Sequence, residues 1–155
     1  MNIQAMKAKI LILFVIALIT NSCNKNIYTT SPQLSFKTVN ATSFSNGDLI
    51  SFNIEVTDKE GDIQDSIWIQ RVSRVCPGTG AFASIYKYSM PQFTATKDLK
   101  ATIEIDFRYG QINTGYPPLQ GCGNKNDTSY FRFWIKDNAG NVSDTIKSPD
   151  CAFLK

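Results

Sequence analysis

Apolar and polar residues alternate along most of this chain, and a period of two predicts β-strands. The clearest alternation spans 50–56, where isoleucine, phenylalanine and valine occupy every second position. No stretch has the 3.6-residue period of a useful amphipathic helix. Further alternations predict strands over 34–37, 67–75, 82–88, 101–109, 130–136 and 142–147. About seven short strands joined by turns indicate an all-β sandwich or barrel.

The segments between these strands are of two kinds. Residues 46–48, 57–62 and 137–141 are short and rich in Asn, Asp and Gly, which is typical of tight turns. Residues 110–128 form a much longer segment rich in Gly, Pro and Asn. A loop of this length is uncommon in a compact domain unless it is pinned or functional.

The first 22 residues have a different pattern. Lys7 and Lys9 precede an unbroken apolar run over 10–19, and small polar residues follow it. A basic start, a short apolar centre and small residues before a break are the parts of a secretory signal. A membrane-spanning helix needs roughly 20 apolar residues, so the run predicts a cleaved signal peptide at 1–22.

Ser22 and Cys23, which end this segment, resemble the lipobox of bacterial lipoproteins. In that family the cysteine sulfur is joined to a diacylglycerol, and cleavage leaves the cysteine as the first residue. The residues after Cys23, up to position 32, are mostly polar and predict a flexible tether. The whole pattern is similar to that of lipoproteins of Bacteroidota-type bacteria. The resemblance implies lipid attachment at Cys23 on the outer membrane, and the lack of acidic residues in the tether favours the periplasmic face over the cell surface. An ordinary cleaved signal, with Cys23 unmodified, is the alternative.

Composition argues against several classes of function. The chain has 155 residues, no histidine and a formal net charge of +3. Every acidic residue follows Cys23, so loss of the signal brings the charge close to neutral, unlike a nucleic-acid-binding domain. Without histidine there is no Ser-His or Cys-His nucleophile pair and no histidine zinc ligand. We therefore expect no catalytic residues and no nucleic-acid partner.

Two longer phrases resemble the B–C and F–G hairpins of bacterial immunoglobulin-like domains. They are SFNIEVTDKEGDIQDSIWI at 51–69 and FRFWIKDNAGNVSDTI at 131–146. The resemblance implies an immunoglobulin-like antiparallel β-sandwich over 33–155. It implies a fold and no particular activity, because that fold supports unrelated functions.

If the strands run in the immunoglobulin-like order A-B-C-(C′ or D)-E-F-G, Cys76 ends strand C, Cys122 lies in the E–F loop and Cys151 follows strand G. All three cysteines then fall at one end of the sandwich. In an oxidising compartment they form one disulfide and leave one thiol. Bridging Cys76 to Cys122 or Cys122 to Cys151 stabilises a fold by similar amounts, about 4.0 and 3.6 kcal/mol. We expect the Cys76–Cys122 bridge, because it would pin the long loop against strand C, with Cys151 as the alternative partner.

The same order brings two acidic turns together at the other end. One contains Asp58, Glu60 and Asp62, and the other contains Asp137 with two asparagines. Alternate carboxylates around a glycine are the ligands that calcium prefers. Asp and Asn are also ordinary turn residues, so a Ca²⁺ site and plain turn chemistry both remain open.

Aromatic residues provide a candidate binding face. If 131, 133 and 135 point into the core, Tyr130 and Trp134 point outward, and an inward Ile67 and Ile69 would turn Trp68 outward beside them. Such a patch suits a sugar or protein partner. Periodicity also allows Trp68 in the core, since its strand is apolar on both sides at the start.

These observations predict a non-catalytic interaction or structural module of the cell envelope, attached to the membrane by lipid. An anchored protein that binds a ligand such as a glycan for an uptake system is the second hypothesis. Its binding site would be the aromatic face or the loop at 110–128. No cofactor is expected apart from a possible Ca²⁺ in the acidic turns.

Overall fold

The strand Leu49–Asp58 shows how the sequence pattern becomes structure. In the computed structural model, which describes residues 27–77 and 85–155, every second side chain of this strand is buried and those between are half-buried. The buried residues include Ile50, Phe52, Ile54 and Val56, all with 0% exposure. Successive side chains of a strand point to opposite sides of the sheet, so a strand with one side on the core buries every second residue.

The described residues form ten strands and no helix, so they contain no helix capable of crossing a membrane. Seven of the strands are three residues or longer; six of these were predicted, and the seventh, Cys151–Phe153, was not. In chain order the strands are β1 (Gln33–Val39), β2 (Ser43–Phe44), β3 (Leu49–Asp58), β4 (Ser66–Ser73), β5 (Ile85–Ser89), β6 (Leu99–Tyr109), β7 (Pro118–Leu119), β8 (Asp127–Lys136), β9 (Ile146–Lys147) and β10 (Cys151–Phe153).

The strands form two sheets whose apolar sides meet. The first has the order β1-β3-β6-β7, and the second has the order β2-β10-β8-β4-β5, with β9 paired to β8. Phe52 of the first sheet packs on Phe131 and Phe133 of the second, with ring centroids 4.7 and 5.3 Å apart. The predicted all-β sandwich is confirmed. Its strand order is immunoglobulin-like, with β1, β3 and β6 in one layer and β10, β8, β4 and β5 in the other.

The sandwich is antiparallel as predicted except at two sheet edges. β10 pairs with β2 in parallel, and β6 pairs with β7 in parallel. Both added strands are only two residues long and are not joined to their partners by a hairpin, which antiparallel neighbours can use and parallel neighbours cannot. Two-residue strands are too short to show an alternation in the sequence.

The last predicted strand, 142–147, is mostly irregular. Only Ile146 and Lys147 pair with β8, together with an isolated bridge at Val142. Pro149 has no backbone N–H to donate, and pairing resumes at Cys151 in β10. Cys151 was expected after the final strand and instead lies inside it. The predicted strand 82–88 is seen from Ile85 onward, and its earlier part lies outside the described residues.

A buried polar network lies within the second sheet. The guanidinium of Arg71 donates to Asp127 Oδ2 and Ser129 Oγ, both at 2.9 Å, and to the carbonyl of Gln120. Ser73 Oγ donates to the other carboxylate oxygen of Asp127 at 2.7 Å. Because Gln120 belongs to the long loop, the network fixes that loop to β4 and β8.

Candidate functional site

The outward side of the second sheet, termed the aromatic face, presents Trp68, Tyr130 and Trp134. Ile67 and Ile69 are buried in the core, so Trp68 has the outward register and not the core register that the sequence left open. Trp68 and Trp134 are directly opposite in the β4–β8 pairing. Their rings are 6.4 Å apart and within 4° of parallel. The two tryptophans therefore form one offset-stacked, half-buried surface.

Positive charges surround these rings. Lys87 Nζ lies 5.1 Å from the ring centre of Trp68. Arg74, Arg132 and Lys147 each have their charged group 5.7 Å from the ring centre of Tyr130. These distances are within the range of cation–π attraction.

Some of these cations have no acidic partner. Arg74 is paired with Asp150 at 2.9 Å. Lys87, Arg132 and Lys147 form no salt bridge within the part of the chain that the structure describes. Beside Tyr130 an open depression is lined by Arg74, Tyr130, Lys147, Ser148 and Asp150. The aromatic face is therefore both apolar and cationic.

The outward side of the first sheet is different. Glu55 lies 3.0 Å from Lys37 and 3.2 Å from Lys100, and both tryptophans of the chain are on the other sheet. Hydrogen bonds from the two lysines hold the pKa of Glu55 below its usual value. Glu55 is thus paired on this side, whereas the outward Glu104 and Asp106 of β6 form no salt bridge with the other described residues.

Sequence reasoning identified the aromatic residues and missed the cations around them. Arg132 lies between Tyr130 and Trp134 in the alternation of β8, which puts it on the same face. Following the outward phase of β8 would have found it. Lys147 could not be found in this way, because it reaches the face through the short pairing of β9 with β8.

The structure brings together three of the four predicted acidic ligands. One carboxylate oxygen from each of Asp58, Asp62 and Asp137 lies within 4.8 Å of the others. Glu60 is not in this group; it is exposed, and its carboxylate accepts a hydrogen bond from Thr30 Oγ1 at 3.4 Å. The group lies where β3 and β8 end, so it joins the first sheet to the second.

Burial dominates the electrostatics of Asp58. Loss of solvent raises its pKa, and the charges of Asp62 and Glu60 raise it further. Hydrogen bonds from the backbone N–H groups of Gly61 and Asp62 act in the opposite direction without cancelling the rise. A raised pKa means that the ionised carboxylate is disfavoured by its surroundings.

The cysteines pair as expected. Cys76 and Cys122 form a disulfide with their Cα atoms 6.2 Å apart, and it fixes the long loop to the end of β4. Cys151, the alternative partner, is a buried free thiol. Burial raises its pKa to about 11. The predicted lipid-attachment residue, Cys23, lies outside the described residues.

Comparison with protein-family models, with curated proteins and with solved structures finds no match to this chain.

Proposed function

We propose that this chain is a non-catalytic, lipid-anchored module of the bacterial outer membrane that binds a partner through its aromatic face. The observation that supports this best is the contrast between the two outer surfaces. The first sheet pairs Glu55 with two lysines, whereas the second presents stacked tryptophans and three cations that have no acidic partner in the described part of the chain. Aromatic residues and arginine are enriched in protein interfaces.

The non-catalytic part of the proposal rests on the sequence. The chain has no histidine, so the commonest general base and the usual activator of serine or cysteine nucleophiles are missing. The free thiol of Cys151 is buried with a raised pKa, which is the opposite of a reactive cysteine.

The anchor part of the proposal rests on Cys23 and on the path of the following residues. Thr57 Oγ1 donates to the carbonyl of Ile27 at 2.8 Å, and Lys59 N donates to the carbonyl of Thr29 at 3.1 Å. A lipid on Cys23 is only four residues from Ile27, a reach of at most about 14 Å. The anchor would therefore attach close to the end of the sandwich that contains Asp58.

Replacement of Cys23 tests the anchor. The wild-type protein should incorporate a radiolabelled fatty acid in its host and partition into detergent, and Cys23→Ser should do neither. Cys151→Ser is the matched control and should behave as wild type. Equal labelling of the Cys23→Ser protein would contradict lipid attachment at this residue.

Site-specific photo-crosslinking in cells tests the binding face. A photoreactive amino acid at Gln70, which is outward on β4, should give a crosslinked product. The same group at Asn53, which is outward on β3, should not. Equal products from both positions, or a product from Asn53 alone, would contradict the assignment of the aromatic face.

Glycan binding is the second candidate function, and the stacked tryptophans specifically favour it. Flat aromatic surfaces contact the apolar faces of sugar rings, and Arg132 and Lys147 would pair with carboxylate or sulfate groups on an acidic sugar. A glycan array should then show binding of acidic glycans, lost in Trp134→Ala. An array with no bound glycan would exclude this candidate and leave a protein partner for the same face.

A further inference from the structure

The acidic group at the end of the sandwich has the dimensions of a site for one cation. The oxygens that Asp58, Asp62 and Asp137 direct toward one another all lie within 4.8 Å. Ca²⁺ binds oxygen at 2.3–2.6 Å, so two oxygens on the same ion are separated by no more than about 5 Å. A single ion can therefore contact all three carboxylates.

Two oxygens in this group are buried without a hydrogen-bond partner. Asp58 has 0% exposure. Its Oδ2 accepts hydrogen bonds from the backbone N–H groups of Gly61, at 2.6 Å, and Asp62, at 3.3 Å. Its Oδ1 has no donor among the described residues, and neither has Oδ1 of Asp62. Buried polar atoms are rarely left in this state unless an ion or another group satisfies them.

No positive side chain neutralises the group within residues 27–77 and 85–155. The salt bridges there use other carboxylates, those of Glu55, Asp65, Asp127 and Asp150. Three ionised carboxylates this close repel one another, and a bound cation would relieve that repulsion.

Hydrogen bonds between the two turns hold the carboxylates in position. Asn138 N donates to the carbonyl of Asp62 at 2.8 Å, which connects the turn after β8 to the turn after β3. Asn141 donates to both carboxylate oxygens of Asp137, at 2.7 and 2.8 Å. Gly61 has a φ of 71°, and a Cβ there would collide with the backbone of the loop after β5. The turns are thus fixed in the geometry that brings the carboxylates together.

We propose that Asp58, Asp62 and Asp137 bind a calcium ion that joins the two sheets of the sandwich, with water completing its coordination. Ca²⁺ suits a set made only of oxygen ligands. Mg²⁺ is usually held by one or two carboxylates and retains more water, so three carboxylates favour calcium. Extracellular modules bind calcium with a dissociation constant of roughly 0.1–1 mM, and we expect this range here.

Calorimetric titration and thermal unfolding test the site directly. The purified protein, freed of divalent cations with EDTA, should bind one Ca²⁺ and melt at a higher temperature in its presence. Mg²⁺ should bind at least about tenfold more weakly, because it requires an octahedral set of ligands and retains several of its water molecules. The absence of a saturable heat and of a melting shift up to several millimolar CaCl₂ would overturn the proposal, and equal affinity for Mg²⁺ would overturn the assignment to calcium.

Asp62→Asn is the most informative variant, because no hydrogen bond to its carboxylate supports the turn among the described residues. It should lose about tenfold or more in Ca²⁺ affinity, as the number of charged ligands falls. Without calcium it should unfold at the same temperature as wild type or higher, since a like charge has been removed. A variant that binds calcium as wild type does would contradict the proposal.

Glu60→Gln is the matched control, since it removes one charge from the same turn but outside the group. It should bind Ca²⁺ within about twofold of wild type, because its carboxylate is not a ligand. Asp58→Asn adds a second variant, which keeps an acceptor for the N–H groups of Gly61 and Asp62. If Glu60→Gln lost calcium binding and Asp58→Asn kept it, the ion would be held elsewhere in the turn, and the proposed site would be wrong.

Discussion

Arg71 and Asp127 form a salt bridge of 2.9 Å inside the sandwich, with side chains only 2% and 0% exposed. Burial alone would raise the pKa of Asp127, but hydrogen bonds from Ser129 and Ser73 and the charge of Arg71 hold it below its usual value. The pair therefore remains ionised although it is out of water. Its geometry connects the middle of the second sheet to the long loop.

Removing one member of this pair should be strongly destabilising. Asp127→Ala leaves the buried guanidinium of Arg71 without its counter-charge, and we expect a loss of about 3–5 kcal/mol in the free energy of unfolding. Asp150→Ala breaks the Arg74–Asp150 pair, which has the same 2.9 Å separation but is exposed. That control should cost no more than about 1 kcal/mol. Urea unfolding measures both, and equal losses would contradict the role assigned to burial.

The Cys76–Cys122 disulfide should contribute strongly to stability. It closes a loop with a sequence separation of 46 residues, for which chain entropy predicts about 4 kcal/mol. A Cys76→Ser, Cys122→Ser double variant should lose most of this amount in chemical unfolding. Peptide mapping without reduction should recover the bridged peptides from wild type and from Cys151→Ser; a bridge that involves Cys151 would contradict the structure.

Cys151 should be unreactive in the folded protein and should make stability depend on alkaline pH. Its pKa rises from 9.0 to about 11 on burial, so the folded state retains a proton that the unfolded state has lost. Stability is therefore reduced as pH rises from 9 to 11. Cys151→Ala, compared with wild type over that range, should have a shallower decline. Rapid alkylation of native wild type at pH 8 would contradict the buried thiol.

The Trp68–Trp134 pair should be visible in solution. Aromatic pairs contribute about 0.5–1.5 kcal/mol beyond the area that they bury, so two stacked indoles with centroids 6.4 Å apart should be coupled energetically. A double-mutant cycle of Trp68→Ala, Trp134→Ala and the double variant, measured by urea unfolding, should give a coupling free energy in this range. Strictly additive losses of stability would show that the rings are apart in solution.

The long strands could be predicted because each has one buried side. In β3 every second residue from Ile50 to Val56 is buried, and that spacing is legible in the sequence. β2, β7 and β9 have two residues each and are defined by their neighbours. No local pattern predicts such strands, because their position depends on contacts between distant parts of the chain.

The buried Arg71–Asp127 ion pair was not predicted, although the alternation in its two strands indicates it. Arg71 is in the inward phase of β4 with Ile67 and Ile69, and Asp127 is in the inward phase of β8 with Phe131. A charge at a core position requires an opposite charge, so the pair could have been sought. The acidic group was predicted through the hairpin ends, but alternation could not show that Glu60 points away from it.

Binding of lipid-free protein to isolated cell envelopes tests the function assigned to the aromatic face most directly. In a Cys23→Ser background, which removes the lipid from the measurement, the protein should bind saturably. Trp134→Ala should weaken this binding by about tenfold or more, as expected when an interface loses a central tryptophan. Tyr116→Ala, which removes an exposed aromatic from the long loop, should leave the affinity unchanged. Full binding by Trp134→Ala, or its loss in Tyr116→Ala, would contradict the account.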